Sequence, residues 1–97
     1  MRRLEWCVML GAWSEGFVDF DKVSGLSMTY TDTSELVYLV VDGVKITVFE
    51  SPISEDICDN DASGKERDWV YCCFKSILTG NKDSIDEDDV FVKVVQG

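Results

Sequence analysis

The chain has 97 residues, 45% of them hydrophobic and 11% aromatic, which lies well outside the disordered composition class and suffices for one small core. Nineteen acidic residues oppose nine basic ones, a net charge of −10; direct binding to nucleic acid or to an anionic membrane is disfavoured, because like charges repel over a Debye length of about 8–10 Å. There is no histidine, so a serine or cysteine nucleophile lacks its usual base, and with no G-x-S-x-G elbow or glycine-rich phosphate loop the chain reads as non-enzymatic.

The first half is organised by a two-residue period. Leu4, Trp6, Val8 and Leu10 alternate with Glu5, Cys7 and Met9, the pattern of a half-buried strand. Residues 11–16, bounded by Gly11 and Gly16, predict a turn region, and residues 17–21 a short strand with Val18 and Phe20 on one face and Asp19 and Asp21 on the other. Leu26, Met28 and Tyr30 against Ser27, Thr29 and Thr31 predict a strand with one wet face. Residues 36–41 are apolar on both faces, which predicts a central strand covered on each side or a strand in a strongly curved sheet. Asp42-Gly43 follows at once and predicts a type I′ hairpin, since both central positions need positive φ. The return strand covers residues 44–50, with Val44, Ile46 and Val48 on one face, and Pro52 ends it.

The second half changes character. Residues 51–64 are polar and acidic and predict a surface loop with one helical turn near residues 54–57. Ser63-Gly64-Lys65-Glu66 fits a capping box, in which the Ser63 hydroxyl and the Glu66 carboxylate satisfy each other's backbone N–H groups. A helix over about residues 64–79 follows. Trp69, Val70, Cys73, Phe74, Ile77 and Leu78 form one apolar stripe at three- and four-residue spacing, and Gly80 is a suitable terminator. An acidic loop over residues 81–89 then leads to a last strand over residues 90–95. The order predicts a single α+β domain over residues 1–97: an antiparallel sheet of about five or six strands, with one amphipathic helix packed on it before the last strand. Trp6, Trp13 and Trp69 are the expected heavy contributors to the core.

Cys7, Cys58, Cys72 and Cys73 match no redox or zinc spacing, and Cys72 and Cys73 read as small apolar residues. The start Met1-Arg2-Arg3 is charged like a signal peptide, but Glu5 interrupts the apolar run and no cleavage site follows, so a cytoplasmic, reduced location is expected. Asp59-Asn60-Asp61-Ala62-Ser63-Gly64 matches the opening of an EF-hand calcium loop. The match then fails, with Val70 where the bidentate Glu belongs and Glu66 where an apolar residue belongs. A weak calcium-binding module is kept as an alternative, and no cofactor or specific metal site is expected.

The acidic residues gather on either side of the helix. Glu50, Glu55, Asp56, Asp59, Asp61, Glu66 and Asp68 precede its apolar stripe, and Asp83, Asp86, Glu87, Asp88 and Asp89 follow it. One reading is solubility. The other is mimicry of nucleic-acid phosphate, since carboxylates two apart on an extended segment lie roughly 6.5–7 Å apart, and Asp59 with Asp61, or Asp86 with Asp88, would form such pairs. The expected partner is then a basic, nucleic-acid-binding protein, met through Glu55, Asp56, Asp59, Asp61, Asp83, Asp86, Glu87, Asp88 and Asp89. In size, acidity and lack of catalytic motifs the chain resembles the general class of inhibitors of host nucleic-acid enzymes encoded by phages and mobile elements, including anti-restriction and anti-CRISPR proteins. That resemblance implies an inhibitor of the same kind and transfers no residue roles. A homodimer paired through the second apolar face of residues 36–41 is the alternative.

Overall fold

Among the described residues, seven strands and one helix enclose an apolar core. The computed structural model describes residues 2–52, 65–87 and 89–96. In chain order the elements are β1 (Arg2–Val8), β2 (Ser14–Asp19), a 3-10 turn (Phe20–Lys22), β3 (Val23–Tyr30), β4 (Ser34–Val41), β5 (Val44–Pro52), α1 (Lys65–Leu78), β6 (Ser84–Glu87) and β7 (Val90–Gln96). All strand pairings are antiparallel, in a four-stranded sheet of order β2-β1-β7-β6 and a three-stranded sheet of order β3-β4-β5. The α+β class and, among the described residues, one helix before the last strand are as the sequence predicts, with the strands divided between two sheets. Among the described residues no helix is long and apolar enough to cross a membrane.

The two-residue period of β1 turns Leu4, Trp6 and Val8 inward, opposite Val94, Val92 and Val90 of β7. The helix lays Val70, Cys73, Phe74 and Ile77 against that face and against Val37 and Leu39 of β4. Gly80, at φ +83°, ends the helix where the sequence places its terminator, and Asp42 and Gly43 have φ of 51° and 80°, the hairpin turn that Asp-Gly predicts.

Trp6 joins these layers. Its indole meets the Phe74 ring in a T-shaped arrangement, 6.2 Å between centroids and 64° between planes. Its ring also covers Gly16, where a Cβ would sit 3.0 Å from the indole. Its Nε1–H donates to Ser14 Oγ at 3.1 Å, and the Ser14 hydroxyl donates in turn to the Thr47 carbonyl of β5 at 3.4 Å.

Five expectations are corrected. Residues 14–16 are strand, so β2 begins three residues before the predicted start; the Trp6–Ser14 bond and the flat seat at Gly16 hold that extra length in register with β1. Asp21 belongs to the 3-10 turn, where its N–H donates to the Asp19 carboxylate at 3.0 Å. The acidic loop over residues 81–89 contains β6, paired with β7 from Ser84–Lys93 to Glu87–Val90. In the β4–β5 pairing the register shifts between Val37 and Tyr38 of β4, leaving Val48 of β5 as an extra residue. A strict period would turn Phe49 outward, whereas the bulge lets Val48 and Phe49 both enter the core. Finally, only Trp6 of the three tryptophans is buried: Trp13 is 70% exposed and Trp69 36%. The helical turn at 54–57, the capping box at Ser63 and the calcium-like segment 59–64 lie outside the described residues.

The sheets meet where Ala12 N–H donates to the Glu50 carbonyl at 2.8 Å. The approach requires Gly11, which has φ +64° and no room for a Cβ against the Glu50 carbonyl oxygen. Gly43 has the same left-handed backbone but open space around it. Gly11→Ala is therefore expected to destabilise the fold by about 2–5 kcal/mol and Gly43→Ala by about 1 kcal/mol, read from urea unfolding midpoints at constant slope.

Candidate functional site

The outer face of the four-stranded sheet carries the residues that alternate with the core set: Arg3, Glu5 and Cys7 on β1, Glu15, Phe17 and Asp19 on β2, Phe91 and Lys93 on β7, and Ser84 and Asp86 on β6. An open groove of about 810 Å³ runs over this face and touches all four strands. Its registers stack side chains in rows across the strands. One row reads Glu15, Cys7, Phe91, Asp86 from edge to edge, and the next reads Phe17, Glu5, Lys93, Ser84.

The rows differ in chemistry. In the second, Glu5 accepts from Arg3 Nε at 2.7 Å and faces Lys93 Nζ at 3.9 Å, so its carboxylate is already matched by cations. The Arg3 guanidinium also lies 5.1 Å from the centre of the Phe17 ring, a cation–π contact, although Phe17 remains 66% exposed. In the first row two carboxylates flank a floor of Cys7 and Phe91, and among the described residues neither Glu15 nor Asp86 has an ion-pair partner. Trp13 and Met9, both exposed, extend the same two-residue periods beyond β2 and β1.

The residues named from sequence fare unequally. Glu55, Asp56, Asp59, Asp61 and Asp88 lie outside the described residues. Asp86 lines the groove. Glu87, its neighbour in β6, pairs with Val90 and so belongs to the opposite face. Asp83 precedes β6, with its carbonyl accepting from Val94 N–H at 3.0 Å, and Asp89 closes the β6–β7 turn at φ +67°. Among these described acids, then, only Asp86 looks into the groove. Sequence reasoning missed Glu15, Cys7, Phe17 and Phe91. The available signal was the non-core phase of each strand, where a purely solvated face would carry no aromatic ring or thiol.

The central strand of the other sheet keeps Leu36, Tyr38 and Val40 half-buried on its outer face. Lys45 lies across the Tyr38 ring at 5.0 Å, so part of that apolar line is covered by its own sheet. Among the described residues no group of three or more His, Cys, Asp or Glu is placed to hold a metal ion. No protein-family model matches the chain, and no curated protein and no solved structure matches it either.

The helix thiols behave differently from each other. Cys72 is exposed, while Cys73 is buried beside Phe74 and its thiol is pushed from 9.0 up to about 11, chiefly by burial and then by the neighbouring Cys72 and Glu87, against a smaller pull from Lys82. Because the folded state holds this proton more tightly than the unfolded chain, the contribution is complete below about pH 9 and lost as pH rises through about 11. Stability is expected to fall over that window more steeply in the wild type than in Cys73→Ala, measured by urea unfolding. In the folded protein a thiol reagent should modify Cys73 roughly tenfold or more slowly than Cys72.

Proposed function

We propose that this chain is a small acidic, non-enzymatic binding protein that engages a basic protein partner, itself a nucleic-acid-binding protein. The observation that carries this reading is the disposition of charge. Among the described residues no charged side chain is buried, so their acidic excess is presented to solvent. The cations meanwhile are largely engaged locally: Arg2 with Asp21, Arg3 and Lys93 with Glu5, Lys22 with Asp42, and Arg67 with Asp68. Lys45 lies over Tyr38, and Arg2, Arg3 and Arg67 also sit over aromatic rings. The resulting field attracts a basic surface and repels nucleic acid.

A partner whose Lys/Arg surface normally meets phosphate fits that field, and occupying it would exclude the nucleic acid. An inhibitor of the anti-restriction or anti-CRISPR type is the specific form this function would take. The alternative, a homodimer paired through the outer face of β4, draws on the half-buried Leu36, Tyr38 and Val40; a dimer whose sedimentation does not change with salt would favour it.

The test is affinity capture of the tagged protein from a bacterial lysate, eluted in parallel by rising salt and by duplex DNA. A basic nucleic-acid-binding protein is expected to be released by DNA, and also by raising salt from about 0.1 M to about 1 M, which shortens the Debye length from about 10 Å to about 3 Å. A partner indifferent to both eluents overturns the reading.

A further inference from the structure

The first row of the groove has dimensions as well as chemistry. Neighbouring strands lie about 4.8 Å apart, so Glu15 on β2 and Asp86 on β6, three strand spacings apart, have backbones about 14 Å from each other. A chain in extended conformation advances about 3.4 Å per residue and points residues i, i+2 and i+4 to one side, with i and i+4 about 13.5 Å apart. We propose that the groove is the docking site for an extended segment of the basic partner with the pattern basic–x–apolar–x–basic. The segment lies across the strands, its outer cations on Glu15 and Asp86 and its central apolar side chain on Cys7 and Phe91.

This inference rests on the reading that the partner is basic, and it adds where and by what sequence the partner is held. Charge complementarity selects the occupant. The two acids at the ends of the row have no ion-pair partner among the described residues, while the nearest cations, Arg3 and Lys93, are turned onto Glu5. The second row thereby adds little repulsion, and Phe17 stands beside the floor as an apolar wall. Strand directions rotate by about 20–25° at each step of a twisted sheet, a misalignment that the long flexible stems of Lys or Arg take up. A second copy of this chain does not supply the segment, because none of its nine basic residues stand four apart.

The test uses isotopically labelled protein and the blocked peptide Arg-Ser-Leu-Ser-Arg at low ionic strength, followed by amide chemical shifts. The expected result is a shift pattern centred on Glu15, Cys7, Phe91 and Asp86. Glu15→Gln and Asp86→Asn should each weaken binding about three- to fivefold, the upper end of what an exposed ion pair contributes. Asp32→Asn, which removes the same charge from the β3–β4 turn of the other sheet, should leave affinity nearly unchanged, and shortening the peptide to Arg-Leu-Arg should weaken it as much as losing one arginine. Absence of binding at millimolar peptide, equal effects of all three substitutions, or indifference to peptide spacing would overturn the groove assignment. Capture of the partner by the Glu15→Gln/Asp86→Asn protein reads the two proposals apart. Undiminished capture that DNA and salt still reverse removes the groove and leaves the basic partner standing, whereas a captured protein indifferent to both removes the basic partner as well.

Discussion

The indole of Trp6 is the contact on which the arrangement of layers depends. It sits on the central pair of the four-stranded sheet, meets the helix through Phe74 and reaches the second sheet through Ser14 and the Thr47 carbonyl. An aromatic side chain of this kind removes about 150–250 Å² from water, worth roughly 4–6 kcal/mol as an upper figure. That is a large share of the stability of a domain this small. The seat has a geometric consequence. Because the ring covers Gly16, β2 must run flat against β1 at that point, with Ser14 beside the indole nitrogen. This fixes the register that turns Glu15 and Phe17 to the outside, so the same contact that closes the core also composes the groove face.

Features decided within a few residues were legible in the sequence. Asp42-Gly43 specifies its turn through two positive φ angles, and the helix is specified by the spacing of Val70, Cys73, Phe74 and Ile77 with Gly80 at its end. Features decided by distant partners were not. The start of β2 depends on Trp6 accepting Gly16 as a seat, and β6 exists because β7 pairs with it, although Asp83, Asp86 and Glu87 give that segment a loop-like composition. The bulge at Val48 breaks the period on which the reading of β5 relied. Trp13 and Trp69 show the limit of judging burial by side-chain size. Their hydrophobicity is real, but their places in the fold leave them partly or largely in water.

The candidate site divides along the same line. The sign of the net charge could be read directly, because charge sums over the chain regardless of fold. Its direction could not, because adjacent acids in a strand diverge: Asp86 and Glu87 are one bond apart in sequence and on opposite faces of β6. Conversely, Glu15 and Asp86 stand 71 positions apart in the chain and share a row, since β1 and β7 lie between them in the sheet. A run of carboxylates in sequence is therefore a poor guide to a surface, whereas the non-core phase of paired strands is a good one once the strand order is known.

The two properties of the proposed site act at different stages of binding. A net charge of −10 gives a long-range attraction that would speed encounter with the proposed basic partner and fade as salt rises. It carries little information about orientation. Orientation comes from the short range, where Cys7, Phe91 and Phe17 offer apolar contact only to a segment that also places cations at Glu15 and Asp86. Such contacts act chiefly on the dissociation rate. The pairing of Glu5 with Arg3 and Lys93 suits this division, because it removes a competing anchor from the middle of the groove and leaves the attraction at its two ends. A surface built this way tolerates many basic molecules in passing and retains the ones whose apolar and cationic side chains match its width.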